Sequence, residues 1–227
     1  LSAGVIAAFG GVVNDELTSW AVIGRVRAVI GDVDAMVLLG RRGEDNMAGA
    51  VVSANLGDAA VHAELAMFGT DGQGIDGGFL GTRAVVAKGV AGGSYVIDVG
   101  TGLRIAAEYH YSGFGVENVG ADPSILFEPA FQLRFARGDT QTFGRHAIAA
   151  TASYNVEDDL ALALSYLQSP VDGSGMVAAN ATWTHSDSVT LLLNVFVPWG
   201  TGPSGGVPTS EWGSSPLTIF FQARFYD

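Results

Sequence analysis

Between His146 and Gln168 the chain alternates apolar with small or polar residues twice, around an acidic break. Ile148, Ala150, Ala152, Tyr154 and Val156 fall on one side, with Thr151, Ser153 and Asn155 between them. After Glu157, Asp158 and Asp159 the alternation resumes, with Leu160, Leu162, Leu164 and Tyr166 set against Ala161, Ala163 and Ser165. A period of two is that of a strand whose successive side chains point to opposite faces, so each segment carries one oily face and one small or polar face. That oil must be covered by a second protein layer or by lipid.

The unit of strand and turn repeats along the whole chain with no composition break, which predicts a single domain over 1–227. Strands are expected at 2–13, 18–31, 34–42, 47–57, 59–69, 79–97, 103–113, 145–156, 160–169, 175–186, 189–198 and 216–226. The count is even. The stretch "SILFEPAFQLRFAR" at 124–137 is suited to a short helix, and Pro129 is expected to interrupt it. Thirty-two glycines without a collagen-like period suit many turns and closely packed strands.

The connections sort by length. Tight turns are read at 31–34, 57–58, 98–102, 157–159 and 186–188, and looser or long connections at 42–46, 70–78, 114–144, 170–174 and 199–215. Long loops therefore fall at one end of the sheet and short turns at the other. A Greek-key sandwich has no reason to sort its connections this way, whereas a transmembrane up-and-down barrel has short periplasmic turns and long outer loops. No stretch approaches the roughly 20 apolar residues of a membrane helix, so any membrane crossing must use strands. A mean hydropathy of +0.31 is high for a soluble domain. The first residue, Leu1, lies inside an apolar run with no initiator Met or signal peptide before it, which fits a mature or trimmed exported chain whose amino-terminal portion is missing.

The faces agree. Val189, Leu191, Leu193, Val195 and Val197 oppose Thr190, Leu192, Asn194 and Phe196; Leu217, Ile219, Phe221, Ala223 and Phe225 oppose Thr218, Phe220, Gln222, Arg224 and Tyr226. Trp20, Tyr154, Tyr166, Trp183, Trp199 and Phe225–Tyr226 lie near strand ends, where the aromatic girdles of a membrane barrel belong. Aromatics at strand ends are also ordinary core residues of a soluble sandwich, which stays open as the alternative. The expected fold is all-β: a closed antiparallel up-and-down transmembrane β-barrel of about twelve strands.

The C-terminal "LTIFFQARFYD" resembles the last strand of Gram-negative outer-membrane β-barrel proteins, which closes on an aromatic recognised during assembly. Here Asp227 follows Tyr226 and departs from that pattern. "EYHYSGFG" (108–115), "GRHAIAATASY" (144–154), "VDGSG" (171–175) and "NVFVPWGTGP" (194–203) resemble the C-terminal half of uncharacterised porin-like outer-membrane proteins. The resemblance implies the bacterial outer membrane as location. It implies a fold more firmly than a solute.

Charge then suggests a lumen. The formal net charge of −12 argues against a nucleic-acid partner, whose phosphates need a basic surface. Most basic residues nevertheless fall in or beside strands, among them Arg25, Arg27, Arg41, Arg42, Arg83, Lys88, Arg104 and Arg224. An arginine facing lipid costs ~2–4 kcal/mol at mid-membrane, so these are expected to point inward. The expected pore lining is Arg25, Arg27, His62, Glu64, Arg104, Glu108, His110, Asn194, Gln222 and Arg224. Arginines in a narrow pore favour anions, or else Arg25, Arg27, Arg104 and Arg224 pair with Glu64 and Glu108 across a closed interior.

The segment 114–144 is long enough to enter the mouth as a constriction, with Phe127, Phe131, Leu133 and Phe135 to pack on and Arg134, Arg137 and Arg145 at the narrowest point. Acids of the outer loops, Asp45, Asp139, Asp172 and Glu211 among them, read as plain solvated residues, or as ligands of divalent cations that bridge lipopolysaccharide.

Chemistry beyond passage finds little footing. His110 and Ser112 share a strand face, and an outer-membrane phospholipase uses a His and a Ser in such a relation with an Asn, but the surrounding residues do not match and both would face away from lipid. His62 and Glu64 lack a third metal ligand. "DGQGID" (71–76) and "VDGSG" resemble calcium loops only as far as turn chemistry does. No enzyme activity, cofactor or metal is expected. The expected function is a porin-like channel for passive diffusion of small solutes, anion-preferring where the lumenal arginines stay unpaired; the alternative is a scaffold barrel in an envelope assembly, because Gly24, Ala28, Ala50, Ala54, Ala63, Ala150 and Ala152 on the oily face let another protein approach. Expected partners are outer-membrane lipid and lipopolysaccharide, small solutes, and other envelope proteins or further copies of the chain.

Overall fold

The computed structural model describes residues 1–9, 12–13, 16–17, 20–43, 45–70 and 85–226. Of the positions singled out above, Arg83, Asp227 and the "DGQGID" stretch lie outside them. Twelve antiparallel strands form one sheet: β1 (Ser2–Phe9), β4 (Trp20–Ile30), β5 (Val33–Arg42), β6 (Asp45–Leu56), β7 (Ala59–Gly69), β8 (Val85–Ile97), β9 (Leu103–Ser112), β10 (His146–Glu157), β11 (Leu160–Gln168), β12 (Gly175–Ser186), β13 (Val189–Trp199) and β14 (Thr218–Phe225). A separate two-stranded ladder joins β2 (Val12–Val13) to β3 (Glu16–Leu17). In the main sheet each strand pairs with the next in sequence, β1 with β4 and then in order to β14, so the topology is up-and-down throughout.

The short connections are hairpin turns. Gly31 and Gly57 open two-residue Gly-Asp turns with φ of 59° and 64°, values that the right-handed twist of the flanking strands demands and that a Cβ disfavours. The long connections all leave the opposite end of the sheet.

Register fixes the faces. The pairings His62↔Gly92↔Glu108 and Leu38↔Gly49↔Ala66↔Lys88↔Ser112 place the charged and small polar residues of successive strands on one side. The pairings Val37↔Ala50↔Leu65↔Gly89↔Tyr111 and Ala181↔Leu193↔Phe221 run along the other. Leu38 and Leu167, on strands six apart in the sheet, line the same cavity. The sheet is therefore strongly curved, with its polar face concave.

The convex face is oily and uncovered: Val37 is 55%, Leu39 63%, Leu65 52% and Leu164 49% exposed. Its charged or titratable residues sit at strand ends, Arg41 over the Trp20 ring and His146 against Tyr109. Aromatics gather at both rims with their polar tips engaged. Trp183 Nε1–H donates to Asp159 at 3.0 Å at the short-turn rim, and Trp199 Nε1–H to the Gly173 carbonyl at 3.0 Å at the other. β13 has 11 residues, about 36 Å along the strand.

The sheet is not closed. Among the described residues no pairing joins β14 to β1, and both edges stay bare, with Val5 75% and Phe221 63% exposed. Alternation dictates which face each side chain takes; it does not dictate what the edge strands meet.

Fully buried apolar side chains do not lie between sheets, as a sandwich would require. They lie at the long-loop end, under the segment joining β9 to β10. That segment holds a 3-10 helix (Pro123–Phe127) and α1 (Pro129–Ala136), so Pro129 separates two helices by starting the second, where its missing N–H costs nothing. Phe114 packs with Phe68 and Val86 of the wall, while Val116, Val119, Leu126 and Phe131 form a second cluster within the segment itself with Ile125 and Phe143; Phe114 and these four buried residues are at most 8% exposed.

Candidate functional site: a charged concave wall under a capped mouth

Segment 113–145 is stitched to the wall at its neck, where Gly113 N–H donates to the Ala87 carbonyl at 2.8 Å and Val116 N–H to that of Phe143 at 2.7 Å. Its far end is locked by ions. Arg134 donates to both carboxylate oxygens of Asp45 at the start of β6, one at 2.9 Å, and to Asp139 at 3.3 Å. Its guanidinium lies 4.8 Å from the Phe114 ring centre. Asp139 also pairs with Arg42 at the end of β5. Lys88 of β8 donates to the Gly138 carbonyl at 3.2 Å, and Arg137 to that of Arg42 at 3.4 Å.

These contacts correct two expectations. Asp45 and Asp139 are 2% and 0% exposed and are not solvated loop acids; Arg134, 1% exposed, anchors the cap and does not line an opening. Only Phe131 of the expected packing aromatics turns inward. Phe127, at the end of the 3-10 helix, and Leu133 and Phe135, on the outer face of α1, are exposed at 56%, 45% and 40%.

The other long connections join the cap. Glu211 accepts from the Phe143 and Gly144 amides at 2.9 and 2.8 Å, and Asp172 from Ser174 N–H at 2.9 Å, Ser174 Oγ–H at 2.7 Å and the Glu211 amide at 2.7 Å. Burial pushes the Glu211 carboxyl above its usual range, partly offset by those two amides. For Asp172 burial acts in the same sense, but the hydrogen bonds from Ser174 and Glu211 outweigh it and hold the group low. "VDGSG" is thus a turn fastened by its own aspartate.

Beneath the cap lies a cavity of 410 Å³ bordered by Leu38, Glu64, Lys88, His110, Thr140 and Arg145. Below it the concave wall carries all ten residues expected to line a pore. Register places Arg25 and Arg27 on β4, His62 and Glu64 on β7, Arg104, Glu108 and His110 on β9, Asn194 on β13, and Gln222 and Arg224 on β14, all on that one face. Asn180 Nδ2–H donates to Asn194 at 2.6 Å.

The ion pairing differs from the expectation. Arg27 binds Asp34 of the neighbouring strand, with Nε at 2.7 Å from Oδ1. Glu108 is taken by two histidines, His62 Nε2 at 3.3 Å from one oxygen and His110 Nε2 at 3.0 Å from the other. Arg25 and Arg104 have no ion-pair partner among the described residues, and Arg224 donates to Gln222 at 3.2 Å. His110 reaches Glu108 along β9 itself and His62 reaches it across the one intervening strand, β8.

His110 and Ser112 do not form a nucleophile and base. The Ser112 hydroxyl is buried and donates to the Asp139 carbonyl at 3.0 Å, while His110 turns to Glu108. Among the described residues no group of three His, Asp or Glu side chains is placed to hold a metal ion.

No family model matches the chain, and no curated protein matches it. Among solved structures it is similar to a NanC porin in a rhombohedral crystal form, at 10% identity over 99% of this chain and 98% of that one, with a TM-score of 0.41. That likeness is too distant to carry an argument, and the functional reading rests on the wall and its cap.

Proposed function

We propose that the chain forms a transmembrane β-barrel of a bacterial outer membrane and works there as a porin-like channel for passive diffusion of small solutes, capped at its outer mouth. One observation carries this reading: the curved sheet gathers its charge on the concave face and presents hydrocarbon on the convex one, with aromatic rims at both ends. Lipid accepts such an exterior, and water such a bore.

Closure follows from the same reading. β1 and β14 have eight residues each, and their directions in an even-numbered meander make them antiparallel neighbours. Pairing them satisfies both bare edges, which lipid cannot do. Cysteine at Val5 combined in turn with cysteine at Ile219, Phe221 and Ala223 is expected to give one strong crosslink in vesicles; none in any combination refutes closure.

Arg25 and Arg104, which have no ion-pair partner among the described residues, together with Arg224 near the short-turn rim, support an anion preference at neutral pH. The test is conductance in planar bilayers. Discrete openings with a reversal potential under a salt gradient are expected, and their absence from folded, inserted protein overturns the channel.

The scaffold alternative draws on a groove of 510 Å³ on the convex face, floored by Gly93, Ala107 and Ala150 between Tyr95 and Tyr166. Native mass spectrometry from mild detergent separates the readings: a lone barrel favours transport, a stoichiometric envelope partner the scaffold.

A further inference from the structure

We infer that Glu108, bridged by His62 and His110, is a selectivity-determining element of the bore whose sign is set by pH, an inference that rests on the channel reading. The three residues sit on β7 and β9, with β8 between them. They meet because β8 contributes Gly92 at that level: it pairs with His62 on one side and Glu108 on the other, and a Cβ there would lie 2.6 Å from Glu108 Cγ. The missing side chain lets a carboxylate and an imidazole reach each other across an intervening strand.

Each imidazole approaches the carboxylate through Nε2, at 3.3 and 3.0 Å. In the neutral ring Nε2–H is the donor that a carboxylate requires, and a proton added at Nδ1 leaves that bond intact. The cluster therefore changes charge without losing a contact. With both rings neutral it carries one negative charge; with both protonated it carries one positive charge.

The surroundings decide what this does to passing ions. Glu64 on β7, Lys88 on β8 and Arg104 on β9 are the fixed charges on the strands that hold the cluster. The facing residues of β10, Ala147, Ala149 and Thr151, bear none, and nor do Val51 and Ser53 of β6. Register sets Lys88 level with Ser112 and Arg104 level with Val96, each four residues from Gly92–Glu108, which is about 13 Å along the strand. Glu64 is therefore the fixed charge beside the cluster, and this level is anionic while the imidazoles are neutral. Protonating both histidines offsets the two acids. The side chains are 33–43% exposed, open to lumenal water.

The experiment is the reversal potential of the reconstituted protein under a KCl gradient, from pH 8 to pH 5. The chloride-to-potassium permeability ratio is expected to rise about 30-fold, as two unit charges about 8 Å from the axis in water favour the one ion and disfavour the other by about five- to sixfold each. The double variant His62→Gln with His110→Gln keeps the amide donors and is expected to abolish the rise. Should it not fold, judged by heat-modifiable migration, each single variant is expected to give about half of it on a logarithmic scale. A pH-independent ratio in the wild type, or an unchanged rise in the variants, overturns the inference and leaves the channel standing. No conductance at any pH removes both.

Discussion

Arg134→Met tests whether the cap is held by its buried ions or by its apolar contacts. Methionine keeps most of the length and the contact with Phe114 but removes every hydrogen bond to Asp45 and Asp139. Breaking one partner of a buried ion pair costs about 3–5 kcal/mol, because the remaining charge stays desolvated. Here the lower end applies. Asp45 keeps Arg137 at 3.6 Å, and Asp139 keeps Arg42. A loss of about 3 kcal/mol raises the open population of the cap about 150-fold. Hydrogen exchange across 113–145 is expected to accelerate by that factor while the central strands keep their protection, and single-channel records should gain a larger conducting level. The second arm is Asp45→Asn, alone and with Arg134→Met: the double variant should cost less than the two singles together, since the pair acts as a unit. Exchange in 113–145 that changes by less than about threefold refutes the argument, because a contribution of about 3 kcal/mol cannot be that silent.

Three further expectations are independent of the cap latch. Leu193→Arg on the convex face should destabilise folding into phospholipid vesicles by about 2–4 kcal/mol, and Asn194→Arg on the concave face by less than about 1 kcal/mol; equal costs would mean that the membrane does not touch the convex side. Gly92→Ala places a Cβ 2.6 Å from the Ala107 carbonyl and from Glu108 Cγ, so it should cost about 1–3 kcal/mol in urea unfolding and shift the histidine side-chain ¹⁵N resonances. Asp172 is pushed up by burial but held low overall by its hydrogen bonds, so the stability it lends the loops is full above about pH 4 and is lost as pH falls through the depressed folded value. Asp172→Ala should remove about 1 kcal/mol at pH 7, after discounting for partial exposure, read as faster exchange of the Ser174 and Glu211 amides with no further loss on acidification.

What the amino-acid order determined by itself is what period two and turn chemistry can encode locally. Leu191, Leu193 and Val195 had to share a face whatever they met, and Gly31-Asp32 had to turn within two residues, so strand number, strand faces and the sorting of loops were all legible. That Arg25, Arg104 and Arg224 share one face was legible too, since a charge in an alternating strand takes the face opposite its oily neighbours. Partnership was not legible, because it depends on positions far apart in sequence. Arg134 and Asp45 are 89 residues apart, and Asp45 reads as a loop acid until the cap folds over it. His62 and His110 meet on Glu108 only because β7, β8 and β9 lie side by side with a glycine between, and Glu211 supports the cap only because two distant loops meet at one mouth. An alternating pattern settles orientation, which each strand carries alone; contact between distant strands and loops depends on curvature, which is a property of the assembled sheet.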